Sequence, residues 1–531
     1  MPASEPVAPA AEALHESAPQ EPDLAPVSPV SADAPSLLDL AVQRAAPNVS
    51  AGATDNRLER FLAEEDTAAC LRLWLGDSFR GDGEALSRRL NRDVAAIDTL
   101  LNDQLNAILH TDRFRRLEAS WRGLRYLVDR VDEEGDPNTK VRALNVSWRE
   151  LTRDFDRAME FDQSHTWRKI YEEEFGQAGG EPFGVLLCDY EVHPRVAPDY
   201  PYDDLRTLRS LSTVAAAAFC PAVLGASPTL FGVDEFRELE HTLDHSAVFQ
   251  QADYLAWRNL REAPESRFVA LTAPRVLMRT RYEPDAERTD RFMFREERAS
   301  PGADGHLWGT AVYAYGAVLA RAFADAGWLA DIRGARRGLV GGGLVMDLPR
   351  AEHGVDRLGL AAKVSTDLIV TDRAEAQLSE LGFLPLCPRH GSDHLVFPSS
   401  QSVQKPATYD RPVATVNARI SAMLQYMLCV SRFAHYVKVL AREKLGSFSE
   451  HTEFESYLQR WIVKYVTDDS EASAATKARY PLRDAQVAVE PTPAKPGSYQ
   501  CTMHLQPHYE LDDLQATVSL VAELSKGQQD R

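Results

Sequence analysis

Apolar residues recur at Leu86, Leu90, Val94, Ile97, Leu101, Leu105 and Ile108, at spacings of three and four. That is one face of a 3.6-residue period and predicts a long helix. Leu117, Trp121, Leu124 and Val128 repeat the pattern after Thr111-Asp112 and predict a second helix. The period then changes. Residues 140–146, 183–188, 268–271 and 368–370 are short apolar runs of the kind that form buried strands, with helical stretches such as 205–219 and 307–326 between them. Residues 414–444 predict one long helix and 454–466 a shorter one. The chain closes on alternation. Val487 and Val489 alternate with small or polar neighbours, and Thr502, His504 and Gln506 alternate with Cys501, Met503 and Leu505. Residues 516–524, with Val518 and Leu520, read as a further strand. Pro491, Pro493, Pro496 and Gly497 mark a turn between the first two. The sum is an α+β fold, mixed sheets packed with helices, whose strand-rich end is either tucked into the parent sheet or offered to a neighbour.

The first 56 residues do not share this patterning. Nine Pro and twelve Ala fall in the first 50, where Arg44 is the only basic residue, so the segment reads as a disordered tail. Within it, residues 36–46 form an island: Ser36 suits an N-cap, Asp39 stands three residues on, and Pro47 stops the run. Leu37, Leu38, Ala41 and Val42 share one face. So short a helix is unstable alone and suits docking into a groove. The expected domains are this tail, a helical region over 57–135, an α/β core over 136–400, and a C-terminal region over 401–531 carrying the long helix and terminal strands.

Composition narrows the function. The 531 residues carry a formal net charge of -20, which repels phosphate backbones and disfavours a general nucleic-acid binder. Six scattered cysteines without a CxxC pair read as reduced thiols of a cytosolic protein. The N-terminus has no signal-peptide pattern, and the longest apolar stretch is broken by Pro221, so membrane insertion is not expected.

Each candidate for chemistry has a plainer reading. Glycines over 338–343 lack the ending of a P-loop and the spacing of a dinucleotide fingerprint, and suit a turn. His241 and His245 are i, i+4 on an expected helix, but have no glutamate base and no third ligand, and read as surface histidines. Ser392, Asp393 and His394 are adjacent in sequence, as members of a catalytic triad rarely are, and read as a polar loop. Glu172, Glu173 and Glu174 point different ways around a helix. Arg432 to Tyr436 suits a packed helix face. No catalytic, metal or cofactor site is expected.

Nine segments, read in order, resemble the large subunit of the contractile sheath of the type VI secretion system, the TssC or VipB family. They are LEASWRGLRYL (117–127), YEEEFGQAGGEPFGVLLCD (171–189), SRFVALTAPR (266–275), GWLADIRG (327–334), TDR (371–373), SVQKP (402–406), SRFAHY (431–436), EKLGSF (443–448) and QPHY (506–509). The likeness runs from about residue 100 to 524; residues 363–367 and 424–426 depart mildly from the family pattern.

The resemblance implies a contractile-sheath fold and a non-enzymatic, cytoplasmic building block without a cofactor. It further implies a small sheath subunit (TssB, or VipA) as partner, helical co-polymerisation with other copies around a tube of Hcp, baseplate contacts, and disassembly by the AAA+ ATPase ClpV. The helix with Ser36, Leu37, Leu38, Ala41 and Val42 would then be the ATPase handle. The strands with Val487, Val489, Thr502, His504, Val518 and Leu520 would link subunits, and a chain cut after Lys477 would still form a soluble complex but no long tubules. A sheath from another phage-tail-like contractile machine is the alternative, and a hydrolase built on Ser392 a more distant one.

Overall fold

The computed structural model describes residues 60–76, 82–177, 179–197, 200–284, 292–297, 305–350, 365–443, 451–469, 471–491 and 499–508. The docking island 36–46 and the last strand-like segment 516–524 lie outside them. Two compact units divide the chain: Met1–Ile108 with Glu283–Arg295, and Leu109–Tyr282 with Glu296–Arg531.

The first unit is helical. Helix α1 spans Thr67–Leu75, and α2 spans Gly83–Leu109, as the 3.6-residue period from Leu86 to Ile108 predicts. Their polar contacts are specific. Trp74 Nε1 donates to Asp93 at 3.0 Å, and Asn106 Nδ2 to the Arg295 carbonyl at 3.2 Å, which satisfies two buried polar side chains of α2. Val94, Leu105 and Ile108 on the apolar stripe are exposed.

The second unit is a three-layer sandwich around a four-stranded parallel sheet. Its strands are β1 (Leu186–Val192), β2 (Ala222–Ala226), β3 (Val269–Ala273) and β7 (Phe383–Pro385), in the order β1-β2-β3-β7. Alternate residues face opposite layers. Leu224, Leu271 and Phe383 join one core with helices α4 (Trp148–Arg157), α5 (Asp204–Ala218), α6 (Leu255–Glu262) and α8 (Asp372–Glu380). Val223, Ala270 and Leu384 join another with α3 (Asp112–Glu134) and α7 (Val312–Ala326). Burial on both faces explains why these strands read as continuous apolar runs. Antiparallel β4 (Val276–Arg279) and β5 (Leu307–Gly309), and the small sheet β6-β9-β8 (Leu344–Val345, Leu395–Val396, Cys387–Pro388), complete this body.

Helix α3 turns the expected apolar face outward. Ala119, Gly123 and Leu127 are buried, whereas Leu117 and Val128 are exposed and Trp121 is 64% exposed. The small residues permit a close crossing with α7: a Cβ on Gly123 would stand 2.2 Å from the Tyr313 ring.

Other elements also differ from expectation. Residues 140–146 form no strand; Val141 and Leu144 are exposed, and Lys140 and Arg142 pair with Glu181. Leu368 and Val370 are buried without a ladder. Residues 307–326 divide into β5 and α7 rather than one helix. The long helix over 414–444 is two helices, α9 (Pro412–Ser421) and α10 (Leu424–Glu443). Ser402 Oγ takes the Ala422 carbonyl, Leu424 N–H bonds Ser400 O at 3.0 Å, and Met423 bridges Gln401, so a neighbouring segment consumes the bonds the helix would have used.

Candidate assembly surfaces

The C-terminal part has its own core. Helix α11 (His451–Ile462), α10 and the hairpin of β10 (Leu482–Pro491) and β11 (Tyr499–Pro507) enclose Trp328, Phe433, Leu458 and Ile462. Trp328 stacks on Phe433 with ring centroids 4.2 Å apart. Val487 and Val489 lie buried in this core, while Thr502 and His504 are exposed on the opposite face of the hairpin. The predicted alternation therefore packs one face inside the chain. Any contact made here with another chain falls to the outer face and the strand edges. Val518 and Leu520 lie outside the described residues.

The two edges of the hairpin differ. On β10, Val487 N–H donates to Gln459 Oε1 at 2.9 Å and Val489 N–H to Glu455 Oε2 at 2.8 Å, while Gln459 Nε2 donates to the Ala485 carbonyl. Side chains of α11 thus cap this edge. Val487 pairs with Met503 and Val489 with Cys501 in the antiparallel register. Because the N–H groups of Val487 and Val489 point away from β11, these are the non-hydrogen-bonded pairs of the ladder, and the main chain of Cys501 and Met503 likewise points outward. Among the described residues no strand pairs with that edge. Such an edge is a template for strand addition. The capping pair Glu455 and Gln459 was not foreseen; two polar residues four apart on a helix carry no local sign of bonding a strand.

The segment Arg432 to Tyr436 is a packed helix face, as its spacing predicts. Phe433 and His435 are buried. His435 Nε2 lies 3.1 Å from the Ala218 carbonyl, and its ring meets Phe175 edge-on at 4.8 Å. Burial holds its pKa down to about 4. Lys438 donates to the Tyr171 hydroxyl at 2.6 Å and sits 3.8 Å from the Phe175 ring centroid, tying α10 to the π-helix Arg168–Phe175.

The carboxyl ends of parallel strands are the usual ligand crevice of an α/β sheet. Here the chain's own side chains bond one another. Arg275 forks onto Glu191 at 2.5 and 2.6 Å, and its backbone N–H donates to Asp367, whose burial pushes its pKa up to about 8. Buried Asp204 accepts from Trp148 Nε1 at 2.6 Å, His193 N–H at 2.8 Å and the Tyr200 hydroxyl at 3.0 Å. These bonds join α4, β1 and α5.

The remaining motifs are structural. The glycine loop 338–343 is a tight turn, and a Cβ on Gly343 would stand 2.2 Å from the Phe397 carbonyl. His241 ends a 3-10 turn while His245 precedes the next helical turn, so they do not share a helix face. His245 is also buried rather than on the surface, its Nδ1 2.7 Å from Gln377 Oε1. Ser392, Asp393 and His394 lie in the turn between β8 and β9, closed by Arg389 N–H on the His394 carbonyl at 3.0 Å. Among the described residues no group of three or more His, Cys, Asp or Glu is placed to hold a metal ion, and no helix is long and apolar enough to cross a membrane.

Comparison with known proteins bears on these surfaces. The VipB model, described as a tail sheath N-terminal domain of the EvpB type, matches residues 91–404. A second model, a tail sheath gpW/gp25-like domain, matches residues 413–524. The type VI secretion system sheath protein TssC1 of Pseudomonas aeruginosa is 38% identical over 434 residues, covering 81% of this chain and 85% of that relative.

Proposed function

The chain belongs to the VipB family of type VI secretion tail sheath proteins and is a structural sheath subunit; from that premise we propose how it assembles and turns over. It co-polymerises with the small sheath subunit (TssB, or VipA) and with further copies of itself around an Hcp tube in the cytoplasm. It meets the baseplate at one end, contracts to drive the tube outward, and is then dismantled by ClpV. It performs no catalysis of its own. Heterologous contacts that do not close a ring build helical filaments. The observation that carries the linkage is the outer edge of β11 at Cys501 and Met503, with which no strand pairs among the described residues, beside a capped β10; at Leu505 the Tyr426 hydroxyl reaches the carbonyl at 3.5 Å. A strand donated by a neighbour adds to that edge through main-chain bonds and leaves the hairpin core undisturbed. The stretches 482–491 and 499–507, with 516–524, form the linking region of the proposed C-terminal domain.

The edge is tested by one substitution and its control. Met503→Pro removes an outward N–H without touching the β10 ladder, and proline is tolerated at strand edges. Met503→Ala loses the same side-chain packing and keeps the N–H. Co-expressed with the small subunit, M503A forms long tubules and M503P forms soluble complexes without them, read by negative-stain microscopy. Equal tubule lengths from both variants would remove the edge from the account.

The handle is the island at 36–46, outside the described residues. Its face of Leu37, Leu38, Ala41 and Val42, capped by Ser36, docks in a groove of the ATPase, and repetition along the polymer adds avidity to a weak single contact. Leu37→Ala with Leu38→Ala leaves tubules intact and abolishes their disassembly by ClpV in a turbidity assay. Disassembly at the normal rate places the handle elsewhere.

An isolated subunit leaves its partner surface in water. The outward stripe of α3, with Leu117, Trp121 and Val128, is of the kind that partners cover. Net charge of -20 favours colloidal solubility but is spread over the whole surface and does not cover an apolar stripe or an open strand edge. Expressed alone, the chain goes mostly to the pellet; co-expression with the small subunit returns it to the supernatant as tubules. A monodisperse monomer by light scattering contradicts this.

A further inference from the structure

The glycine turn over 338–343, between α7 and β6, is anchored at its base and bare at its tip. Gly334 N–H donates to the Phe397 carbonyl at 2.8 Å, and Gly343 N–H to the Gly334 carbonyl at 2.8 Å. Buried Arg321 donates to the carbonyls of Gly342 and Leu344 at 2.9 and 2.7 Å, and Gly342 N–H to Asp331 at 3.2 Å. These bonds fix where the tip stands. There Leu339 and Val340 are 59% and 62% exposed, two adjacent bulky apolar side chains held in water. Their burial is forgone unless another molecule covers them. The tip is also basic. Residues 332–346 hold Arg333, Arg336 and Arg337 and no carboxylate. Arg336 is taken up by Asp331 at 2.5 Å, whereas Arg337 is exposed and makes no ion pair among the described residues.

Like charges keep this tip off the same tip of another copy, so its complement is a different surface, acidic and partly apolar. The chain displays one. Residues 234–244 carry five carboxylates, with Arg237 as their only Lys or Arg. Asp234 and Glu240 are exposed and make no ion pair among the described residues. In the same segment Leu243 is 74% exposed, its carbonyl held by Gln377 Nε2 at 3.4 Å. Both segments are exposed on the one chain, so they meet only across two copies. We propose that the 338–343 tip of one copy docks on the 234–244 surface of the next, with Leu339 and Val340 on Leu243 and Arg337 beside Glu240. Contact between two unlike surfaces that does not close a ring continues from copy to copy. The contact therefore deepens the sheath reading and rests on it, and it is separate from the edge of β11.

Photo-cross-linking in the assembled protein tests it. The photoreactive residue p-benzoylphenylalanine replaces Val340, and the full chain is co-expressed with the small subunit. Irradiated tubules are digested and read by mass spectrometry. The expected adduct joins position 340 to residues 234–244 of another copy. An adduct to the small subunit or elsewhere on a copy overturns the assignment, and so does no adduct from tubules of normal length. Charge reversal supplies a second reading. R337E and E240R each lower the pelleted tubule fraction about fivefold, the scale of one exposed charge pair. R337E/E240R restores it, which misfolding does not produce. Absence of recovery in the double variant overturns the pairing. Wild-type tubules without the adduct end the contact and leave the sheath reading standing, whereas absence of wild-type tubules ends both.

Discussion

A chain truncated after Lys477 is insoluble, with or without the small subunit. The sequence pattern alone predicts a milder result, a soluble complex that fails only to elongate; the buried face of the hairpin changes that expectation. Leu482, Val487 and Val489 are each less than a tenth exposed, packed on Leu458, Ile462 and Phe433. Burial of one such side chain is worth about 1.5–3 kcal/mol, so the three together reach about 5–9 kcal/mol. That is comparable to the whole stability of a domain, about 5–15 kcal/mol. The cut also strips Glu455 and Gln459 of the β10 main-chain groups they bond. Co-expressed with the small subunit, a truncation after His508 keeps the hairpin and remains soluble. Soluble fraction and tryptophan fluorescence, sensitive to Trp328 and Trp461 in the exposed core, separate the two constructions. A monodisperse complex from the shorter chain, with native fluorescence, would show that the hairpin is not part of the core.

The helices were legible because their period is local. The run from Leu86 to Ile108 becomes α2, and Phe454 with its neighbours becomes α11. What periodicity does not carry is the direction of a face. In α3 the bulky stripe of Leu117 and Trp121 reads as core, yet Ala119 and Gly123 are inside, since the crossing with α7 demands small residues. Nor does it carry the partner of a strand. Residues 140–146 have the composition of a strand but no ladder, whereas β1 begins at Leu186, where β2 lies alongside. The break between α9 and α10 depends on Ser400 and Ser402, twenty or more residues earlier. For the assembly surfaces, alternation predicted the two faces of the hairpin. Which edge is open depends on Glu455 and Gln459, visible only once α11 and β10 are side by side. The family resemblance rests largely on packing residues of this kind: in the segment SRFAHY, Phe433 and His435 are buried in the chain's interior.

Stability falls with acidification because of one of those residues. His435 is 3% exposed, and burial, then the charges of Arg432 and Lys438, hold its folded pKa at about 4; its bond to the Ala218 carbonyl works in the other direction. An unfolded histidine titrates near 6.5, so between these values the unfolded chain binds more protons than the folded one, and stability rises with pH across that window. The contribution is present in full above about pH 6.5 and is lost as the pH falls towards 4. At about 1.4 kcal/mol per pKa unit, the loss amounts to roughly 3 kcal/mol. His435→Gln keeps an N–H for the Ala218 carbonyl and has no proton to gain. Denaturant midpoints of the soluble assembly at pH 7 and pH 4.5 therefore separate in wild type and draw together in H435Q. Carboxylates that titrate lower down affect both proteins alike and cancel in the comparison. Parallel pH dependences in the two would mean that His435 stays uncharged on unfolding or is already charged when folded, and either would undo the argument from its burial.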